Sequence, residues 1–114
     1  LENLQIQIFY LQVIKEYIYC MILSFKHKGL KLFWESGSSK RIPPGQIIKI
    51  RYILATLNEI KHLPEDLLSF KNWGIHKLKG NYNGFWSLNV KENWRIIFRF
   101  EEENVFEVNL IDYH

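Results

Sequence analysis

One cysteine, Cys20, is all that the chain holds of that residue. No disulfide can close within it, and no cysteine-type metal cluster can form. Its four histidines, His27, His62, His76 and His114, do not fall at metal-ligand spacing. Internal repeats, low-complexity stretches and linkers are also missing. So is a long unbroken apolar run. The opening twenty residues, LENLQIQIFYLQVIKEYIYC, are interrupted by Gln7, Gln12, Lys15 and Glu16, which makes a poor membrane span. They lack the basic leading region and the small-residue cleavage site of a secretory signal. These absences lead to the expectation of a cytosolic protein without metal, cofactor or membrane partner.

What is present is the composition of a folded domain. The 114 residues are 47% hydrophobic and include four Trp, six Tyr and eight Phe. That is enough for one core and too little for two domains, and it lies outside the disordered class. Most of the aromatics must build the core, and a surplus on a basic protein can stack on bases. The formal net charge is +3, and the positive excess lies downstream. All the Lys and Arg except Lys15, and all the Asp and Glu except Glu2 and Glu16, fall in residues 21–114, giving that part 14 against 10 and a net +4. Such a charge suits RNA or an acidic protein, although many ordinary domains share it.

The single methionine is Met21. Residues 1–20 are expected to be upstream sequence read through, with the native start at Met21. The other reading is an added helix packed on the domain. The domain itself is expected over residues 21–114.

From Met21 the pattern predicts an α+β fold, with two N-terminal helices packed on one side of a mostly antiparallel sheet. Met21–Phe25 reads as a first strand. Lys26–Gly37 reads as a helix, with Leu30, Phe33 and Trp34 at helical spacing. Gln46–His62 is the clearest amphipathic helix, and Leu63–Phe70 adds a helical turn opened by Pro64, Glu65 and Asp66. After Lys71 the period changes to two. Trp73–Leu78 reads as a strand. Gly84–Val90 follows, with Trp86, Leu88 and Val90 on one face. In Trp94–Phe100, Trp94, Ile96, Phe98 and Phe100 point inward, with Arg95, Ile97 and Arg99 across. Glu101–Asn104 is an acidic turn. In the last strand Phe106, Val108 and Leu110 share a face that Asp112 continues.

A meander of these strands gathers chemistry-bearing residues. Arg95 and Arg99 share a strand face at a separation of at most about 13 Å. HKLKG supplies His76, Lys77 and Lys79, and the closing NLIDYH supplies Asp112, Tyr113 and His114. Cleaving RNA without a metal needs a base for the 2′-OH, an acid for the leaving 5′-oxygen, and cations for the phosphorane. Histidine serves as either acid or base near neutral pH, and Lys and Arg stabilise the developing charge. Each member also has an ordinary reading. The arginines can be solvated or ion-paired, Lys79 solubilising, and Trp86 and Trp94 part of the core. His76 can pack on a strand, and His27 and His62 read as surface residues.

Three stretches carry a resemblance: MILSFKHKGLKLFWESG, HKLKGNYNGFWSLNVKENWRIIFRF and EVNLIDYH. Together, from Met21 to His114, they resemble the HigB toxins of the RelE/ParE superfamily. The resemblance implies the toxin of a type II toxin–antitoxin pair, a ribosome-dependent mRNA endoribonuclease. Such a toxin cuts in the A site by 2′-OH attack, without a metal. Its partners would be a HigA-type helix-turn-helix antitoxin and the 70S ribosome, with DNA reached only through the antitoxin. By motif, the resemblance assigns cleavage to His114, Tyr113, Asp112 and Lys79. It assigns phosphate or RNA contact to His76, Arg95 and Asn93, and the strand-face pattern adds Arg99 to that set. Lys26, Lys28, Lys31, Lys40 and Arg41 are expected to contact 16S rRNA. Two departures stand out: Lys77 replaces a proline frequent in the family, and Asn81 replaces an aspartate. The alternatives are a ParE-type gyrase inhibitor, against which the Asp-Tyr-His set argues, or an inactive antitoxin-binding module.

Overall fold

The computed structural model describes the backbone of residues 2–18 and 22–114 and the side chains of 3–11 and 22–114. Among the described residues three α-helices precede a four-stranded antiparallel sheet: α1 (Glu2–Ile18), α2 (Lys28–Ser36), α3 (Ile47–Leu57), then β1 (His76–Lys77), β2 (Trp86–Lys91), β3 (Trp94–Glu101) and β4 (Asn104–Asp112), in spatial order β1-β2-β3-β4. The α+β class and the meander are as expected. The two expected helices correspond to α2 and α3, and α1 is a third. Its residues 3–11 are all exposed, so that part of α1 does not pack on the domain. The division between extension and domain at residues 20 and 21 lies outside the described residues.

Helix α2 is set by its ends. The imidazole Nδ1 of His27 accepts from the Leu30 amide at 3.0 Å, capping the first turn. Gly37, at φ 79°, closes the other end by donating to the Phe33 carbonyl at 2.9 Å. The sequence expectation that His27 is a surface residue is corrected. Half-buried, it has a pKa below the ordinary histidine value because burial disfavours the cation, with Arg41 adding to the effect. Beside it the lack of a side chain at Gly29 lets the helix approach Arg41 closely. A Cβ there would lie 2.7 Å from Cβ of Arg41 and 2.8 Å from Cε1 of His27.

Helix α3 buries Ile50, Ile53, Leu54 and Leu57, a stripe of helical period. It starts after a 3₁₀ turn at Pro44–Gln46 and stops short of the expected His62. Asn58 ends it and uses its Oδ1 to accept from the Ile22 amide at 3.0 Å. The amides of Lys61 and His62 turn instead to the Asp66 carboxylate, at 2.7 and 2.9 Å. Those two donors hold the Asp66 pKa below its usual value.

The helical stripes meet one face of the sheet. Leu30 and Phe33 of α2 and the four α3 residues form a single core with Leu88, Val90, Ile96, Phe98, Val105, Val108 and Leu110. Trp86 and Trp94 pack against this core, so both serve packing. On the opposite face Leu78, Phe85 and Ile97 form a small cluster with Tyr82 and Ile111. Three strand expectations change. The described part of Met21–Phe25 contributes only two parallel bridges, Ile22 to Val105 and Phe25 to Val108, along β4. Trp73–Leu78 is a strand only at His76–Lys77, because Trp73 is buried by a 3₁₀ turn, stacked on Phe70 at 4.1 Å. In β4 a bulge at Glu107 (φ 52°) resets the alternation, so Val105 replaces Phe106 on the core face.

Candidate active site

Two chain reversals and a strand end meet at one edge of the sheet. The hairpin between β2 and β3 turns at Glu92 and Asn93, with Glu92 at φ 52°. Arg95 braces it: Nη1 donates to the carbonyls of Glu92 and Trp94, the latter at 2.9 Å. Strand β4 runs alongside, with Asp112 opposite Trp94 and Ile111 opposite Arg95. Pairing continues one residue beyond the strand, where the Tyr113 amide donates to the Asn93 carbonyl at 2.8 Å. That bond fixes where the last two side chains go.

His114 is bracketed on both ring nitrogens. Nε2 lies 3.2 Å from Oδ1 of Asp112, and Nδ1 lies 3.3 Å from Nδ2 of Asn93. With Nε2–H donating to the carboxylate, Nδ1 carries the lone pair and accepts from the Asn93 amide. A carboxylate on one nitrogen orients the ring and stabilises the imidazolium once a proton arrives. The imidazole side chain is 73% exposed, so a substrate can reach it directly. Tyr113 points to a third element: its ring lies 6.0 Å from that of Tyr82, which is edge-on to Phe85 at 6.4 Å. Tyr82 closes the 3₁₀ turn Gly80–Tyr82, whose preceding residue is the exposed Lys79. Through Tyr82, then, the Lys79 turn is docked beside the Asp-Tyr-His end. His76 is exposed on β1, its Nδ1 2.8 Å from the Gly74 carbonyl. Opposite it stands Ser87, itself opposite Ile97, which puts His76 on the same sheet face as Arg95.

A family model described as the RelE-like toxin of the type II toxin–antitoxin system HigB matches residues 23–114. The chain belongs to the HigB-like toxins. It is 38% identical over 94 residues to the endoribonuclease HigB of Proteus vulgaris, an overlap covering 82% of this chain and all of that protein. As a HigB-like toxin it has an antitoxin as its family partner.

Within this toxin Asp112, Tyr113, His114 and Asn93 are brought together by direct bonds, and the turn that follows Lys79 docks beside them through the Tyr82 ring. Arg95 sits beside them but spends Nη1 on the hairpin carbonyls. Arg99 is placed apart: its guanidinium pairs with Glu107 at 2.8 Å and covers the Phe85 ring at 4.4 Å. Its charge is therefore already matched. The five cations read as rRNA contacts divide too. Lys28, Lys31, Lys40 and Arg41 line one cleft of about 350 Å³ on α2, with Glu35 as its single acid, and Lys26 is not in its lining. Among the described residues no three His, Cys, Asp or Glu side chains gather where they could hold a metal ion. No described helix is long and apolar enough to cross a membrane. Tyr82 escaped the sequence reading. Its signal was an aromatic residue alone in a Gly- and Asn-rich turn, GNYNG, where nothing local needs a ring.

Proposed function

We propose that this HigB-like toxin is an endoribonuclease that cuts mRNA in the ribosomal A site, and the bracketing of His114 by Asp112 and Asn93 is the observation that carries the reading. The 2′-oxygen of the ribose attacks the adjacent phosphorus and the bond to the 5′-oxygen breaks. The products are a 2′,3′-cyclic phosphate and a 5′-OH. One proton leaves the 2′-OH and one reaches the leaving oxygen. His114 is the principal group for proton transfer, moving it at Nδ1 once the substrate displaces the Asn93 amide. Asp112 holds the ring and offsets its positive charge. Tyr113 positions the nucleotide. Lys79 and Arg95 stabilise the charge on the non-bridging oxygens as the phosphorane forms, and His76 contacts the strand from the same sheet face. No step of this scheme calls on a metal.

Residues 21–114 are the working domain, with α2 and α3 as the helical layer of a RelE-like fold. The α2 cleft, together with Lys26, anchors the toxin on 16S rRNA through its phosphates. A HigA-type helix-turn-helix antitoxin is the neutralising partner, and both act in the cytoplasm. The test is cleavage by residues 21–114 of an mRNA on ribosomes with an empty A site. Cutting at the A-site codon, lost in His114→Ala with the fold retained, is expected. A folded His114→Ala protein that still cuts would overturn the site. No cutting by the folded wild type, followed by inhibition of gyrase supercoiling, would replace the reading with the ParE-type one.

A further inference from the structure

The Tyr82 ring is not needed to shape its own turn. That turn closes on backbone bonds: the Asn83 amide donates to the Gly80 carbonyl at 3.0 Å, the Phe85 amide to the Tyr82 carbonyl at 3.0 Å, and the Leu78 amide to the Phe85 carbonyl at 2.8 Å. Yet the ring stays half-exposed, packed against the small cluster of Leu78, Phe85 and Ile97. It meets Phe85 edge-on, and it meets the ring of Tyr113, itself 41% exposed, at 6.0 Å and a tilt of 52°. Tyr113 lies two residues past Ile111, so the two share a sheet face by alternation. Ile111 stands opposite Arg95, and His76 reaches the same face through Ser87 and Ile97. The two tyrosine rings therefore lie on the face that carries Arg95 and His76.

RNA can meet such a pair with a phosphate or with a base. Phosphates bind cations. The neighbours of Tyr82 in its turn are Gly80, Asn81, Asn83 and Gly84, none of them charged. The Arg99 guanidinium reaches Gly84 but is paired with Glu107. Lys79, ahead of the turn, is already assigned to the reacting phosphate. Bases, by contrast, stack on aromatic faces. Spacing decides how. A base held between two rings needs a van der Waals gap of about 3.5 Å on each side, about 7 Å in all, and these rings stand 6.0 Å apart. They cannot sandwich a base; they form one continuous platform. We infer that Tyr82 extends the Tyr113 platform and stacks on a second nucleobase of the A-site codon, as an additional substrate-binding residue. The inference rests on the reading of this sheet end as the RNA-cleaving site. It adds contact with a base to the phosphate contacts of His76, Lys79 and Arg95.

The test compares wild type, Tyr82→Leu and Tyr82→Phe on ribosomes whose A-site codon is either intact or abasic at each of its positions in turn. Thermal melts check that each variant is folded. On the intact codon Tyr82→Leu should lower kcat/KM about 5–150-fold, the range of base–aromatic stacking, and Tyr82→Phe should stay within about twofold of wild type. With the abasic nucleotide at the stacked position, wild type and Tyr82→Leu should cut alike. A loss of equal size at every abasic position would mean that the ring only positions the Lys79 turn, and it overturns the platform. So does a Tyr82→Leu protein with wild-type activity. If Tyr82→Leu does not fold, Tyr82→Gln carries the same comparison. Wild type that does not cut at all sinks the nuclease reading, and the platform is then decided by anisotropy of a fluorescent single-stranded oligodeoxynucleotide. The base-bearing strand should bind wild type more tightly than its fully abasic counterpart, and Tyr82→Leu should lose that preference. A preference that survives in the variant, or none in wild type, overturns the platform.

Discussion

Replacing Asp112 by Asn removes one charge from the cluster and almost no volume. Asp112 and His114 expose 43% and 73% of their side chains and meet at 3.2 Å. An ion pair this open contributes at most about 1 kcal/mol to folding. For a chain of this size that is a shift of roughly 4 °C or less in Tm. Catalysis should respond on a different scale. The carboxylate accepts only from an imidazole N–H, so it fixes Nε2 as the donor and leaves Nδ1 to exchange the proton. Asn can present either its oxygen or its amide to the ring, and it cannot offset an imidazolium. Proton transfer by a positioned group contributes about 10²–10⁴-fold, and because this pair is exposed the lower part of that range applies. Asp112→Asn should therefore lower kcat about 10²–10³-fold with little change in KM or Tm. Single-turnover cleavage of A-site mRNA and a thermal melt would give both numbers. A variant within twofold of wild type in kcat would show that the carboxylate neither orients nor stabilises His114. A loss explained by unfolding would make Asp112 structural.

The remaining predictions concern α2. His27→Ala should remove the helix cap and cost about 1 kcal/mol, read by urea unfolding. Because the folded-state pKa of His27 is lowered, the unfolded chain binds more protons at mildly acidic pH. The stability due to His27 is thus full above the unfolded value near 6.5 and is lost as pH falls through the lowered one. The gap between wild type and His27→Ala should narrow on acidification, and a constant gap would contradict the neutral cap. Gly29→Ala should destabilise by about 1–3 kcal/mol through overpacking against Arg41 and His27, measured in the same unfolding experiment. Charge reversal of Lys28, Lys31 and Lys40 should weaken ribosome binding and reduce its salt dependence, with Tm nearly unchanged. Equal sedimentation of variant and wild type with ribosomes would reject the α2 cleft as an anchor.

Much of this fold is visible in side-chain period alone. Ile50, Ile53, Leu54 and Leu57 face one way on α3, and Leu88, Val90, Ile96 and Phe98 alternate as strands must. Elsewhere single polar contacts between distant residues overrode the pattern. Asn58 reaches back to Ile22, and Asp66 captures the amides of Lys61 and His62, which shortens a helix whose apolar rhythm runs on. The β4 bulge falls on Glu107, a residue with no local preference for φ 52°, so its shift from Phe106 to Val105 had no sequence signal. At the site, DYH was legible as types in a pattern and Asn93 only through the resemblance, and their mutual contacts depend on the pairing of Tyr113 with Asn93. Arg99 looked equivalent to Arg95 on the strand face, but it pairs with Glu107, placed by that bulge, and covers the Phe85 ring, whereas Arg95 bonds the hairpin carbonyls.

The backbone bond from Tyr113 to Asn93 has a thermal consequence. Past Asp112, one backbone hydrogen bond, a pair of tyrosine rings and two exposed imidazole contacts hold the reactive residues in place. A hydrogen bond of this kind contributes only about 0.5–1.5 kcal/mol net, whereas global unfolding of a domain takes about 5–15 kcal/mol. The competent arrangement therefore belongs to a local opening equilibrium much shallower than the folding one. Warming would depopulate it while the core of α2, α3 and the sheet stays intact, so the cleavage rate should pass its maximum well below the melting temperature.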